Sequence, residues 1–106
     1  MIEKTEKFTL YVGLNDKDIK TQKITTLEAY KVINNLLLNY TDGATIFEAV
    51  GIYKHEDGSI VIENTLRIEL MFINENTAKK IVKDIKKILN QESVAVQREV
   101  VENDLW

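Results

Sequence analysis

Asn76-Thr77-Ala78-Lys79-Lys80-Ile81-Val82-Lys83-Asp84-Ile85-Lys86-Lys87-Ile88-Leu89 places Ala78, Ile81, Val82, Ile85, Ile88 and Leu89 on one helical stripe and lines the opposite face with lysines. A helix divided in this way needs a surface to pack on. The flanking segments offer one: two long β-branched runs joined by Asp57-Gly58 before it, and Ser93-Val94-Ala95-Val96-Gln97 after it. Asn74 stands at the expected N-cap, and the last segment reads as a strand over about Ser93 to Val101.

Upstream, Ala44 to Lys54 and Ser59 to Ile73 read as strands connected by His55-Glu56-Asp57-Gly58, whose Asp-Gly pair signals a hairpin. Along the second of these, Ile60, Ile62, Leu66, Ile68, Leu70 and Phe72 share a face broken by Asn64, while Val61, Glu63, Thr65, Arg67, Glu69, Met71 and Ile73 share the other. Setting Lys54 opposite Ser59 sends Phe47, Ala49, Gly51 and Tyr53 to the core side. Ile46, Val50, Ile52, Val61 and Met71 then form an outer apolar face, the expected oligomer interface. Gly51, without a side chain in mid-strand, suggests a bulge or the close approach of another group.

Further back, Thr25-Thr26-Leu27-Glu28 is a capping-box sequence opening a helix that runs to about Tyr40. Ala29, Ile33, Leu36, Leu37 and Tyr40 form its buried stripe, and Gly43 is expected to end it in a left-handed conformation. Phe8-Thr9-Leu10-Tyr11-Val12-Gly13 reads as the first strand. Leu14 to Thr25 reads as a connection too polar for the core and long enough to be mobile. The order βαββαβ implies an α+β, ferredoxin-like sandwich: a four-stranded antiparallel sheet with two helices on one face. Right-handed crossovers put the first and third strands at the centre and the second and fourth at the edges. A long edge strand without proline tends to pair with something.

The chain of 106 residues reads as a single domain, 1–106, large enough to bury roughly two-thirds of its extended surface. With 44% hydrophobic and 29% charged residues it has a globular composition, and no apolar run approaches the roughly 18 residues of a spanning helix. Charges in Met1-Ile2-Glu3-Lys4-Thr5-Glu6-Lys7 argue against a signal peptide, and the lack of cysteine agrees with a cytoplasmic setting while excluding thiol chemistry. A net charge of −3 speaks against binding duplex DNA. The helix face with Lys79, Lys80, Lys83, Lys86 and Lys87 reads as a solvated exterior before it reads as an anion site.

No catalytic or metal-binding motif stands out, and no cofactor is implied. His55 is the sole histidine and sits in a turn, so a two-histidine metal site is unavailable. Asn15-Asp16-Lys17-Asp18 starts like a calcium loop but lacks the glycine and glutamate that complete one. Tyrosines and Trp106 without a basic-aromatic cluster do not make an RNA-recognition sheet. The polar residues set into apolar strands carry more weight. Asn64 interrupts the core face, and Glu48, Arg67 and Glu69 could pair across neighbouring strands. Tyr53, Asn64, Arg67, Glu69 and Arg98 are the candidate ligand-binding residues.

At Leu10-Tyr11-Val12-Gly13, Asp42-Gly43-Ala44-Thr45, Ala49-Val50-Gly51-Ile52-Tyr53, Glu63-Asn64-Thr65 and Gln91-Glu92-Ser93-Val94 the chain resembles small domain-of-unknown-function proteins of bacteria, prophages and mobile elements. These carry LYxG, DGxT and QxSV motifs. It departs from them at the N-terminus, where better-known members look secreted. The resemblance implies a ferredoxin-like fold and a phage or mobile-element setting, and no catalytic residues. The leading expectation is a cytoplasmic, non-enzymatic binding protein acting as a homo-oligomer. An alternative is an antagonist of host defence that sequesters a small nucleotide signal, with Arg67 and Arg98 facing phosphate, or blocks a host effector protein. A third is a small ferredoxin-like enzyme using a tyrosine or the Glu48 and Glu69 carboxylates.

Overall fold

The computed structural model describes residues 3–106; Met1 and Ile2, which open the segment read as lacking a signal peptide, lie outside the described residues. The elements are β1 (Glu3–Gly13), α1 (Thr26–Leu37), β2 (Thr45–Lys54), β3 (Ile60–Leu70), α2 (Glu75–Ile88) and β4 (Ala95–Asn103). All strand pairings are antiparallel in the order β2-β3-β1-β4, so β1 and β3 are central and β2 and β4 form the edges. This is the expected ferredoxin-like arrangement.

Local chemistry accounts for the helices. The Thr25 hydroxyl accepts from the Glu28 amide, and the Asn74 side chain accepts from the Thr77 amide, each satisfying a donor that the first turn leaves open. α2 ends at Asn90 with φ 49°, and the Gln91 amide donates back to the Lys86 carbonyl, a Schellman-type closure. α1 ends differently from expectation. Its last turn tightens, with Tyr40 N–H donating to Leu37 O, and Gly43 is not among the residues of positive φ.

The core lies between the helices and the middle of the sheet. Phe8, Leu10 and Val12 of β1 stand opposite Leu70, Ile68 and Leu66 of β3, and Ala29, Ile33, Leu36, Leu37, Ala78, Ile81 and Ile85 pack on them. Burying one Ile or Leu side chain here contributes about 1.5–3 kcal/mol. Leu14 belongs to this core, and the connection that follows it is tied down rather than mobile. The Leu14 amide donates to Asn64 O, the Lys17 amide to Asn90 O, and the Gln91 side-chain amide to Asn15 O. Asp16 is buried, its carboxylate accepting from the amides of Asp18 and Ile19 and from the Asn90 side chain. The Asn90 bond, followed by the two backbone bonds, holds its carboxyl below the ordinary carboxylate range. Among the described residues no helix is long and apolar enough to cross a membrane.

The hairpin register corrects the sequence reading. His55 N–H donates to Ser59 O, leaving the three-residue loop Glu56-Asp57-Gly58 with Gly58 at φ 90°, and Lys54 pairs with Ile60. A shift of one residue exchanges the faces of β2. Ile46, Glu48, Val50 and Ile52 therefore share the helix side with Ile68, Leu66, Asn64 and Ile62. Phe47, Ala49, Gly51 and Tyr53 lie instead on the open face with Arg67, Thr65, Glu63 and Val61. The five residues expected to form one outer apolar face are thus divided: Ile46, Val50 and Ile52 on the helix side, Val61 on the open face, and Met71 beyond the end of β3. Gly51 stays in register with Glu63 and makes no bulge, while the Thr65 hydroxyl lies 2.9 Å from where a Cβ would stand.

Candidate functional site

The open face of the sheet is where polar chemistry collects. Arg67 projects from central β3 with Phe47 on one neighbouring strand and Tyr11 on the other, both in register with it. Its guanidinium carbon lies 5.4 Å from the Phe47 ring centre and 6.0 Å from that of Tyr11, within cation–π range. Arg67 Nη2 stands 3.2 Å from Glu69 Oε2, while Arg67 Nε is buried without a hydrogen-bond partner. Lys7 Nζ approaches Glu69 to 2.9 Å, and this bond above all holds the Glu69 carboxyl below its usual range. The Tyr11 hydroxyl donates to Gln97 Oε1. On the same face Thr9 and Thr65 are buried although they point away from the helices.

Toward the hairpin, the same face opens into a cavity of about 520 Å³ at the junction of β1, its following loop and β3. Tyr53 and Tyr11 line it, together with Glu63, Gly13 and His55. The Tyr53 and His55 rings meet edge to face at 5.3 Å. Partial burial and then the neighbouring Glu63 carboxylate push the Tyr53 phenol above its ordinary value. Among the described residues no group of three His, Cys, Asp or Glu side chains is placed to hold a metal ion. The Asp16 and Asp18 carboxylates of the calcium-like segment both accept from Asn90, a structural bond that closes the loop onto α2.

A family model described as "Protein of unknown function (DUF3574)" matches residues 7–104. The chain belongs to the DUF3574 family. No curated protein matches this DUF3574 chain. Among solved structures it is similar to a phage SAM lyase in complex with S-methyl-5'-thioadenosine, with a TM-score of 0.66 and 20% identity, over 94% of this chain and 89% of that one. It is also similar to CutA from Synechococcus elongatus, with a TM-score of 0.62 and 10% identity, over 95% and 82% of the two chains. A DUF3240 family protein from Shewanella baltica gives a TM-score of 0.58 and 8% identity, over 96% and 97%. At these identities the likeness establishes the fold.

The five candidate binding residues are divided in this DUF3574 member. Tyr53, Arg67 and Glu69 share the open face. Asn64 and Arg98 lie on the helix side, because Asn64 pairs with Val50 and Arg98 with buried Phe8. Asn64 donates to the Gln22 side chain, and the two terminal nitrogens of Arg98 pair with Glu6 at 3.0 Å and Glu75 at 2.9 Å. Glu48 and Glu69 likewise occupy opposite faces, so a Glu48–Arg67–Glu69 cluster does not form. Glu63, Gly13 and Tyr11, which sequence reasoning passed over as site residues, are brought together by the pairing of β1 with β3. The faint signal was the polar alternation Glu63, Thr65, Arg67 and Glu69 itself.

Proposed function

We propose that this protein is a non-enzymatic, homo-oligomeric binding protein of the cytoplasm that holds its ligand against the open sheet face. One observation carries the oligomer: the β2–β3 hairpin extends past the helices with Val50, Ile52, Ile60 and Ile62 between 63% and 71% exposed on one side and Tyr53 half exposed on the other. A two-stranded arm with one uncovered apolar face is marginal in water, and a second copy supplies the missing cover. The binding rather than catalytic reading is supported by the placement of Glu48 and Glu69 on opposite faces and by the tight ionic bond that keeps Glu69 charged.

Light scattering on the eluted protein tests the assembly. A multiple of 12.2 kDa at micromolar concentration is expected, with Ile52→Lys or Ile62→Lys shifting it towards monomer. A clean monomer of the native chain overturns it. Sequestration of a nucleotide signal in a phage or mobile-element setting is the second reading. It is favoured by the partly exposed Arg67 side chain between two rings, which pairs with one carboxylate where Arg98 pairs with two. Calorimetry with a panel of cyclic nucleotides tests that reading, and an absence of heat from all of them removes it.

A further inference from the structure

Glu63 is folded back across Gly13 at the mouth of the open-face cavity. A Cβ on Gly13 would stand 2.4 Å from Glu63 Oε1, closer than real Cβ atoms come, so the seat exists because residue 13 has no side chain. The Asn15 amide donates to Glu63 Oε2 at 3.0 Å and fixes the carboxylate there. Neither oxygen meets a cationic side chain among the described residues. The contrast with its neighbours is sharp: Glu69 has Lys7 and Arg67, while Glu6 and Glu75 share Arg98. Held in place by one amide and without a counter-charge from the described side chains, this carboxylate is free to pair with a positive ligand.

The surroundings define which positive ligand. Tyr53 and Tyr11 both line the same cavity, and the His55 ring meets Tyr53 edge to face. Aromatic rings beside the Glu63 carboxylate, with the exposed Glu92 also lining the cavity, recognise an ammonium or guanidinium on a carbon body, whereas a bare metal ion needs several oxygen ligands placed together, and no such group is found among the described residues. Asp16 also borders the cavity, but its carboxylate is committed to Asn90 and the loop amides. Lys17 and Lys20 at the rim are exposed, so solvent and salt screen their repulsion. We infer that this cavity binds an organic cation, with Glu63 as counter-ion, Tyr53 and Tyr11 as walls, and Gly13 as the residue that makes room for the anchor. The inference rests on the binding reading of the open face and is independent of oligomerisation.

Calorimetry of the full chain with choline and agmatine, and with 3,3-dimethylbutanol as the neutral isostere of choline, tests it. Both cations bind, and the neutral alcohol binds at least about tenfold more weakly, as expected for a cation–π and carboxylate site. Glu63→Gln loses about tenfold in affinity for both cations with little change in Tm, because the amide keeps the shape and removes the charge. Gly13→Ala gives a similar loss by pushing the carboxylate off its seat. Equal affinity for choline and its isostere, or no heat from either cation, overturns the inference. A Glu63→Gln chain that loses oligomer mass while the native chain ignores choline also overturns it, assigning the counter-charge to a lysine or arginine of a second copy. A monomer that binds choline leaves this inference standing while the oligomer reading fails.

Discussion

The two ends of β3 carry the same alternation in different surroundings. Leu66, Ile68 and Leu70 are fully buried beneath the helices, whereas Ile60 and Ile62, on the same face of the same strand, are each 65% exposed. The cause is length. The 14 residues of α2 span about 21 Å at 1.5 Å per residue, while the 11 residues of β3 span about 36 Å at 3.3 Å per residue. The boundary falls at Asn64, where the Leu14 amide reaches the backbone and Gln22 meets the side chain. An apolar alternation therefore identifies a face but does not establish what covers it.

The largest effect that separates the two ends is in the core. Ile68→Ala is expected to cost about 2–5 kcal/mol in urea unfolding because it leaves a cavity in close-packed surroundings. Ile62→Ala, measured in protein dilute enough to be monomeric, is expected to cost under about 1 kcal/mol. Equal losses would break the distinction, and an Ile62→Ala loss that grows with protein concentration would sharpen it by placing that side chain in an oligomer contact.

Smaller is the effect at the tip of the exposed arm. Gly58 has φ 90°, where a side chain is strained, so Gly58→Ala is expected to cost about 1 kcal/mol. Hydrogen exchange should speed up in the amides around the hairpin tip and leave those near Ile68 unchanged. Faster exchange throughout β3 would show that the arm and the core open as one unit.

The smallest effect is confined to acid. The folded-state pKa of Asp16 lies below its ordinary value of 3.8, so its contribution to stability is present above that value and fades as pH falls through the lower folded one. In the native chain the loop at the Asn64 boundary should loosen below about pH 4, before the core melts. Asp16→Asn should flatten the acid limb of the stability profile. An unchanged limb would detach Asp16 from that boundary.

Much of this architecture was legible along the chain because it is set by near neighbours. The lysine-backed stripe of α2, the caps at Thr25 and Asn74 and the alternation in β3 each depend on residues within a turn or a pleat of one another. Element order and handed crossovers then led to the strand order. What failed were readings that depend on parity and distance. One residue fewer in the hairpin loop exchanged the faces of β2, and the polar Leu14–Thr25 segment was ordered by Asn90 and Gln91, far along the chain. The open-face site belongs to that second kind. Asn15 and Glu63 are 48 residues apart, and only the antiparallel register of β1 on β3 brings the amide to the carboxylate and lays that carboxylate over Gly13. Propensity and periodicity report local conformation, whereas contact between distant strands is decided by the loop lengths and register of the assembled sheet.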